Sequence, residues 1–535
     1  MVTDELVAPL EDQQREMESG EPYVSMENLF LYTLNELEGN LGYLMTDRFA
    51  SHALRLLLIV LSGQPLANTA TTSLLQSKKK EKIDVTSSTK PAKSVVQART
   101  VPDSFQDAVE KVISGTVIGL NTTYLRALAT HPVGNPVLQL LIELELSKSG
   151  KRKAKDADSL FQKLLPDDPP EEGTESASFI NGLLYDTVGS RLLEAIVRCA
   201  PGKTFKTIYR SLFKERLGSL ARNEVAGFVV IRVLERLSKE DLEEAVTQIC
   251  PQIGSLIERS RTTVIRTLIE RCAIRGLDTK PIADALREAY GDEASARLSK
   301  VLKLSSIEDE GMSKERQLQV EAKDAGKLHG SLLAQAMLEV PGPLRELISE
   351  SLLAMDASTL VMMAKDRTAT HVLQRSLTCS GQSNTFCRKV LQKFVGHVAD
   401  LAVDAVASHV VDAFWTASES IQFVRERMAE ELLEKENTLK KSYSGRAVWR
   451  NWMMDLYKRR KSEWMSKAKG AHDKPDSSSK IDARSPFMPK SGIELARERS
   501  AAAKAGKSKH SRAGVGTGAN GVAAGRAGIR VGSKA

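Results

Sequence analysis

The chain is 535 residues long, 41% hydrophobic and 27% charged, with a formal net charge of +8. That length and apolar content exclude a wholly disordered chain and a lone small domain, and fit several domains or one long repeat array. Its five cysteines include no CxxC pair and none beside a histidine at zinc-ligand spacing, which excludes a disulfide scaffold and a zinc module and suits a reducing compartment.

The charge is uneven. Residues 467–535 hold 15 of the 76 Lys+Arg and 5 of the 68 Asp+Glu, a net of +10. Residues 1–466 keep 61 basic and 63 acidic groups, a net of −2. The basic excess belongs to the tail, which suits a polyanion partner or an import signal. Any nucleic-acid face on the body must be a local patch.

In chain order, residues 1–24 form an acidic segment without a signal-peptide pattern. The apolar stretch Leu54 to Leu61 contains Arg55 and is far short of the roughly 20 residues a membrane span needs. Residues 62–104, rich in Ser, Thr and Lys, predict a long loop. Residues 147–176 join a basic cluster (Lys148, Lys151, Arg152, Lys153, Lys155) to a Pro/Glu stretch and predict a second insertion. Helical spacing of apolar residues returns in Leu183 to Val197, Ile231 to Leu242 and Leu344 to Leu353. Residues 305–326, polar and charged, predict a linker or an exposed helix. The organisation expected is therefore an all-α array over 25–465 with three insertions. A tail, 466–535, is too poor in apolar groups to order itself.

One short pattern recurs: a small or polar turn, then a helix with three polar or flat residues set among apolar ones. Its anchors are Ser51, Asn135, Ser190, Gly227, Thr262, Ser331, Thr370, Ser408 and Gly445. Successive spacings are 84, 55, 37, 35, 69, 39, 38 and 37 residues, and the three long ones each contain an insertion. A period in the high thirties with helical content predicts a solenoid whose units bury their apolar faces only by stacking.

With the anchor as position 1, positions 1 and 5 lie one helical turn apart and position 2 lies beside them. Positions 3 and 4, such as Leu192 and Leu193 or Val410 and Val411, are apolar and face inward, so positions 1, 2 and 5 are expected to be exposed. Position 2 holds His52, Pro136, Arg191, Phe228, Thr263, Leu332, His371, His409 and Arg446. Position 5 holds Arg55, Gln139, Glu194, Ile231, Arg266, Gln335, Gln374, Asp412 and Trp449. Flat or guanidinium groups that stack, alternating with hydrogen-bonding groups once per repeat, suit reading single-stranded RNA base by base.

These segments resemble the RNA-reading helix of Pumilio (PUF) repeats. The set Asp47–His52, Thr130–Gln139, Asp186–Glu194 and Gly445–Trp452 with its following Lys/Arg run resembles the nucleolar protein 9 family. The resemblance covers roughly residues 25–465. It implies a C- or U-shaped solenoid whose concave face binds precursor ribosomal RNA in the nucleolus, among pre-ribosomal proteins, and helps control 18S rRNA maturation. It implies that positions 1 and 5 read base edges while position 2 stacks. Asn135 with Gln139 would then suit uracil, Ser190 with Glu194 guanine, and Ser331 with Gln335 adenine, with Thr370 and Gln374 a looser adenine-like pair. Ser408 and Asp412 complete the set.

The sequence also departs from that pattern. Gly227 with Ile231 offers no edge-reading group, Pro136 stacks poorly, and Gly445 with Trp449 follows no code. The family's basic N-terminal stretch and earliest repeats are not seen, so an array that starts mid-solenoid is expected. Loose sequence preference with much backbone contact follows.

Gly516 to Gly521 matches GxGxxG, but in a low-complexity tail it makes no dinucleotide site. The sequence has no Gly-x-Ser-x-Gly, P-loop or HExxH motif, so neither enzyme chemistry, a metal, a cofactor, a small-molecule substrate nor a membrane is expected. The competing reading is a protein-binding helical scaffold with a basic tail for nuclear import. It predicts that Arg55, Arg191, Arg266, Arg375, Arg446 and the position-2 residues scatter, whereas RNA binding predicts that they share one face.

Overall fold

The computed structural model describes residues 25–64, 99–153, 156–167, 173–304 and 314–469. The acidic segment 1–24, most of the first insertion, residues 154–155 and 168–172 of the second, residues 305–313 and the tail from 470 lie outside them. Among the described residues the chain is helical and has no strand. No single helix there is long and apolar enough to cross a membrane.

Eight of the nine anchors open, or stand one or two residues inside, their helices, and the ninth, Ser331, lies deep within a longer one. The nine helices are α1 (Ala50–Ser62), α2 (Gly134–Lys153), α3 (Gly189–Cys199), α4 (Ala226–Arg236), α5 (Thr262–Arg275), α6 (Lys314–Glu339), α7 (Thr370–Thr378), α8 (Ser408–Ala417) and α9 (Tyr443–Asn451). Each is the last helix of a three-helix unit. The unit ending in α4, for example, runs Gly202–Ile208, a π turn at Tyr209–Phe213, Leu217–Arg222 and then Ala226–Arg236.

The nine helices pack one on the next in chain order, α1 on α2 through α8 on α9, and form a ladder. The apolar middle of each triplet supplies the contacts. Val137 and Leu138, Leu192 and Leu193, Val229 and Val230, Val264 and Ile265, Val372 and Leu373, and Val410 and Val411 are all buried. Burying one such side chain stabilises by about 1.5–3 kcal/mol, and α3 alone buries Leu192, Leu193, Ile196 and Val197.

Two insertions are partly built into the array. Glu145, just past the middle of α2, accepts the backbone N–H groups of Leu160 and Phe161 at 2.8 and 2.9 Å, which starts the short helix Leu160–Leu164. From Lys314 the third insertion is helix, continuous with α6, and so is not a linker there. Gly330 lets α6 approach the helix Ala294–Val301 closely, since a Cβ there would stand 2.0 Å from the Val301 carbonyl oxygen.

The C-terminal end is closed by aromatics. Trp452 and Trp464 are buried, and Trp415 packs edge-on against both at 5.4 and 5.6 Å. Their indole N–H groups donate to Val411 O at 3.1 Å and Trp452 O at 2.8 Å. Buried Arg425 lies 4.2 Å over the Trp415 ring and donates to Ser418 Oγ at 3.0 Å.

Candidate nucleic-acid interface

Most ladder helices open on one recurring turn. A side-chain oxygen four residues before the anchor accepts the two backbone N–H groups that precede the anchor. Asp47 Oδ1 takes Phe49 and Ala50 at 2.9 and 2.7 Å, and Asn223 Oδ1 takes Val225 and Ala226 at 2.9 and 3.0 Å. Asp186, Asp366 and Asp404 do the same, and His131 Nδ1 takes Gly134 N–H at 3.0 Å. The anchor N–H then bonds the backbone carbonyl of that same residue, as Ser190 to Asp186 at 3.0 Å and Ser408 to Asp404 at 3.2 Å. Orphan donors at a helix start are met in this way, and position 1 is fixed in space.

Exposure of all three triplet positions, expected from the pattern, holds for position 2 and fails for position 1. Ser51, Asn135, Ser190, Thr262, Ser331, Thr370 and Ser408 are buried, as are Gly227 and Gly445. The side chain of a first-turn residue points back toward the helix start, where the rest of the repeat covers it. Asn135 Nδ2 donates to Ala129 O, and Ser331 Oγ donates to Thr368 O of the next unit at 2.7 Å.

Position 5 is divided. Positions 1 and 5 do meet across one turn: Gln139 Nε2 donates to Asn135 Oδ1, Gln335 Nε2 to Ser331 Oγ at 3.1 Å, and Gln374 Nε2 to Thr370 Oγ1 at 3.1 Å. Arg55, Gln335 and Trp449 are nevertheless buried, which corrects the expectation for them. Arg55 turns back, its Nε donating to Ser51 O at 3.1 Å, and burial lowers its pKa. Trp449 donates to Asp455 Oδ1 at 3.0 Å beneath the Lys440 ammonium. Gln139, Glu194, Ile231, Arg266, Gln374 and Asp412 are half-buried. Burial raises the Asp412 carboxyl; its Oδ2 accepts from Asn451 at 3.1 Å while its Oδ1 has no hydrogen-bond partner.

Position 2 remains reachable from solvent along the ladder. His52, Arg191, His409 and Arg446 are exposed, and Pro136, Phe228, Thr263, Leu332 and His371 are half-buried. His371 and His409 stand on adjacent helices, α7 and α8, and burial, then the charge of His409, lowers the His371 pKa. The arginines expected to share a face all lie on ladder helices, though not all equally open. Arg191 and Arg446 are exposed, Arg375 is held by Glu339 at 2.6 Å, and Arg266 Nε is 3.2 Å from Glu270.

Ion pairs, one of them using the position-5 residue Glu194 and the rest of their members outside the triplets, tie neighbouring ladder helices together. Glu143 of α2 meets Arg198 of α3 at 2.8 Å, and Glu194 of α3 meets Arg232 of α4 at 3.4 Å. Burial by itself would lower the Arg232 pKa, but Glu235 and Glu194 raise it. At the C-terminal end Trp449, Trp452, Tyr457 and Trp464 are buried while Arg446, Arg450, Lys458, Arg459, Arg460 and Lys461 are exposed, so basic and apolar faces separate. Lys458 is paired with Glu436, and Lys461 with Glu426 and Glu430. The side chains of Lys148–Lys155 lie outside the described residues.

A stacked ladder of triplet helices in three-helix units, with one solvent-reachable group per repeat at a fixed place, defines a Pumilio-type helical-repeat protein. Solved structures of APUM23 with GGAUUUGACGG and with GGAGUUGACGG share this fold. Their TM-scores are 0.68 and 0.69, each at 19% identity over 88% of this chain and 82% of that one. The model of the NOP9-like PUF repeat domain matches residues 1–447, and the chain belongs to that family. Nucleolar protein 9 of Ajellomyces dermatitidis is 52% identical over 489 residues, 91% of this chain and 71% of the relative. Nucleolar protein 9 of Leptosphaeria maculans is 51% identical over 516 residues, 94% of this chain and 71% of the relative. As a member of this family the chain is a nucleolar RNA-binding repeat protein, and family and fold are those of binding proteins rather than enzymes.

Proposed function

We propose that the chain holds precursor ribosomal RNA of the small subunit on the ladder face, in single-stranded or loop regions, and so helps control 18S rRNA maturation among the proteins of the pre-ribosomal particle. The observation that carries this reading is the position-2 row: His52, Arg191, Phe228, His371, His409 and Arg446 are all reachable, one per repeat, on six of the nine stacked helices. Imidazole, phenyl and guanidinium planes stack on bases of any identity. The APUM23 structures named with U-containing sequences support the same assignment, as does the nucleolar name of the relatives.

The triplets act together: position 2 carries stacking, the half-buried position-5 groups Gln139, Glu194, Gln374 and Asp412 offer base-edge contacts, and the buried position-1 residues Asn135, Ser190, Thr370 and Ser408 stand behind them. Fluorescence anisotropy with small-subunit precursor RNA and a scrambled control, at two salt concentrations, tests the proposal. The full chain and a version ending at Ser466 are expected to prefer the precursor. Arg191→Ala with His371→Ala is expected to weaken binding by roughly 1–3 kcal/mol per stacked base. Equal binding to both RNAs, seen only with the tail present, would leave the scaffold reading in its place.

A further inference from the structure

The fifth ladder helix departs from its neighbours. Its triplet is Thr262, Thr263 and Arg266, and Thr263 has no flat surface on which a base could stack. Its start is different as well. No side chain caps α5, and the backbone enters through Ser260 in the left-handed region at φ 58°, with Arg261 N–H bonded to Leu256 O at 2.7 Å. The first-turn N–H groups therefore lack the side-chain acceptor that Asp47, Asn223 or Asp404 provides elsewhere on the ladder.

Polar groups gather at this start. Thr262 is only 8% exposed, and its Oγ1 has no hydrogen-bond partner. Arg261 flanks it, with Nη2 3.2 Å from Glu224 Oε1 and Nε without a partner. Lys303 Nζ donates to Ser260 Oγ at 3.1 Å. The Lys303 stem lies over Gly326 of α6, where a Cβ would come within 2.9 Å of its Cδ, so a hydrogen at 326 is what lets the lysine reach. One turn along, Arg266 Nε is near Glu270 but not aligned for a hydrogen bond.

A buried hydroxyl without a partner is uncommon in a folded protein. Here it stands at the positive end of a 14-residue helix, among cations, where an anion with several acceptor oxygens would satisfy donors on every side. We infer that the N-terminus of α5 seats a backbone phosphate of the bound RNA. This rests on the RNA-binding reading and deepens it: repeat five grips the strand without reading a base. The phosphate oxygens accept from the Thr262 hydroxyl and the first-turn N–H groups, while Arg261 and Lys303 supply countercharge. Glu224, 84% exposed at its side chain, is the counter-ion the phosphate displaces.

The test uses the full chain and the small-subunit precursor RNA, with affinity measured across a salt series. Each phosphate contact on a single strand contributes about 0.7 to the slope of log K against log salt. The Arg261→Gln, Lys303→Gln double variant is expected to bind with a slope shallower by about that amount, and to lose affinity alike for precursor and scrambled RNA. Thr262→Val is expected to lose RNA affinity several-fold while its melting temperature holds or rises, because the fold gains nothing from that hydroxyl. A Thr262→Val protein that binds as wild type, or an unchanged slope in the double variant, would overturn the phosphate seat. Should the double variant fail to fold, Lys303→Gln alone, at an exposed residue, carries the slope measurement. Wild-type chain that fails to bind either RNA would instead remove the parent reading, so the two failures are distinguishable.

Discussion

At the scale of single residues, His371 is a proposed stacking group whose titration is set by its surroundings. Burial, and then the charge of His409, hold its pKa below the ordinary 6.5. The ring is therefore neutral near pH 7, a flat surface without a fixed charge. Its sign in folding follows from linkage. Between the folded and unfolded pKa values the unfolded chain binds more protons, so stability rises with pH there and falls as pH drops below about 6.5. The urea midpoint is expected to fall between about pH 7 and about pH 5.5, and His371→Gln to fall less. An equal fall in both proteins would detach that slope from His371. Residue exposure was only half legible in the sequence. Alternation of apolar and polar groups told which residues at position 2 reach solvent. It could not tell that Ser331 bonds across to Thr368, because that partner lies 37 residues away.

At the scale of elements, the capped turn matters most. One carboxylate oxygen of Asp404 holds the N–H groups of Val406 and Ala407, both at 2.8 Å, and so sets where α8 begins. Asp404→Ala is expected to cost about 1 kcal/mol, as loss of a helix cap does, seen as a lower urea midpoint with an unchanged m-value. A neutral change would mean that packing of Val410 and Val411 sets the helix start. The same offset of four residues was present in the sequence at Asp47, Asp186, Asn223, Asp366 and Asp404. Only the first two stand in the segments that carry the family resemblance. A search for Asp or Asn four residues before a small anchor, two residues ahead of an apolar pair, would find the rest. The ladder itself was legible because each unit repeats its apolar pair near a 37-residue period. The cross-helix ion pairs were not, since Glu194 and Arg232 come together only through the packing of α3 on α4.

At the scale of the whole array, each unit touches mainly its neighbours, and stability is close to a sum of local terms. The end therefore needs its own closure, which Trp464 provides by packing on Trp415 and Tyr457 and bonding Trp452 O. Trp464→Ala is expected to remove about 3–5 kcal/mol, confined to the last unit. Hydrogen exchange should speed up in α9 and Lys461–Lys469 and stay unchanged in α2 to α4. Uniform loss of protection would mean that the array unfolds as one block.

The pairing of positions 1 and 5 with each other has a bearing on fidelity. Sites that discriminate sharply do so because the wrong ligand strands polar groups with nothing to bond. Here Gln335 keeps Ser331, and Gln374 keeps Thr370, whether or not a base arrives. On the proposed reading, a mismatched nucleotide would forfeit a gain but incur little penalty, and the ladder would tolerate error at single bases. Selectivity would then reside in the length and path of the strand that fits all the rungs at once.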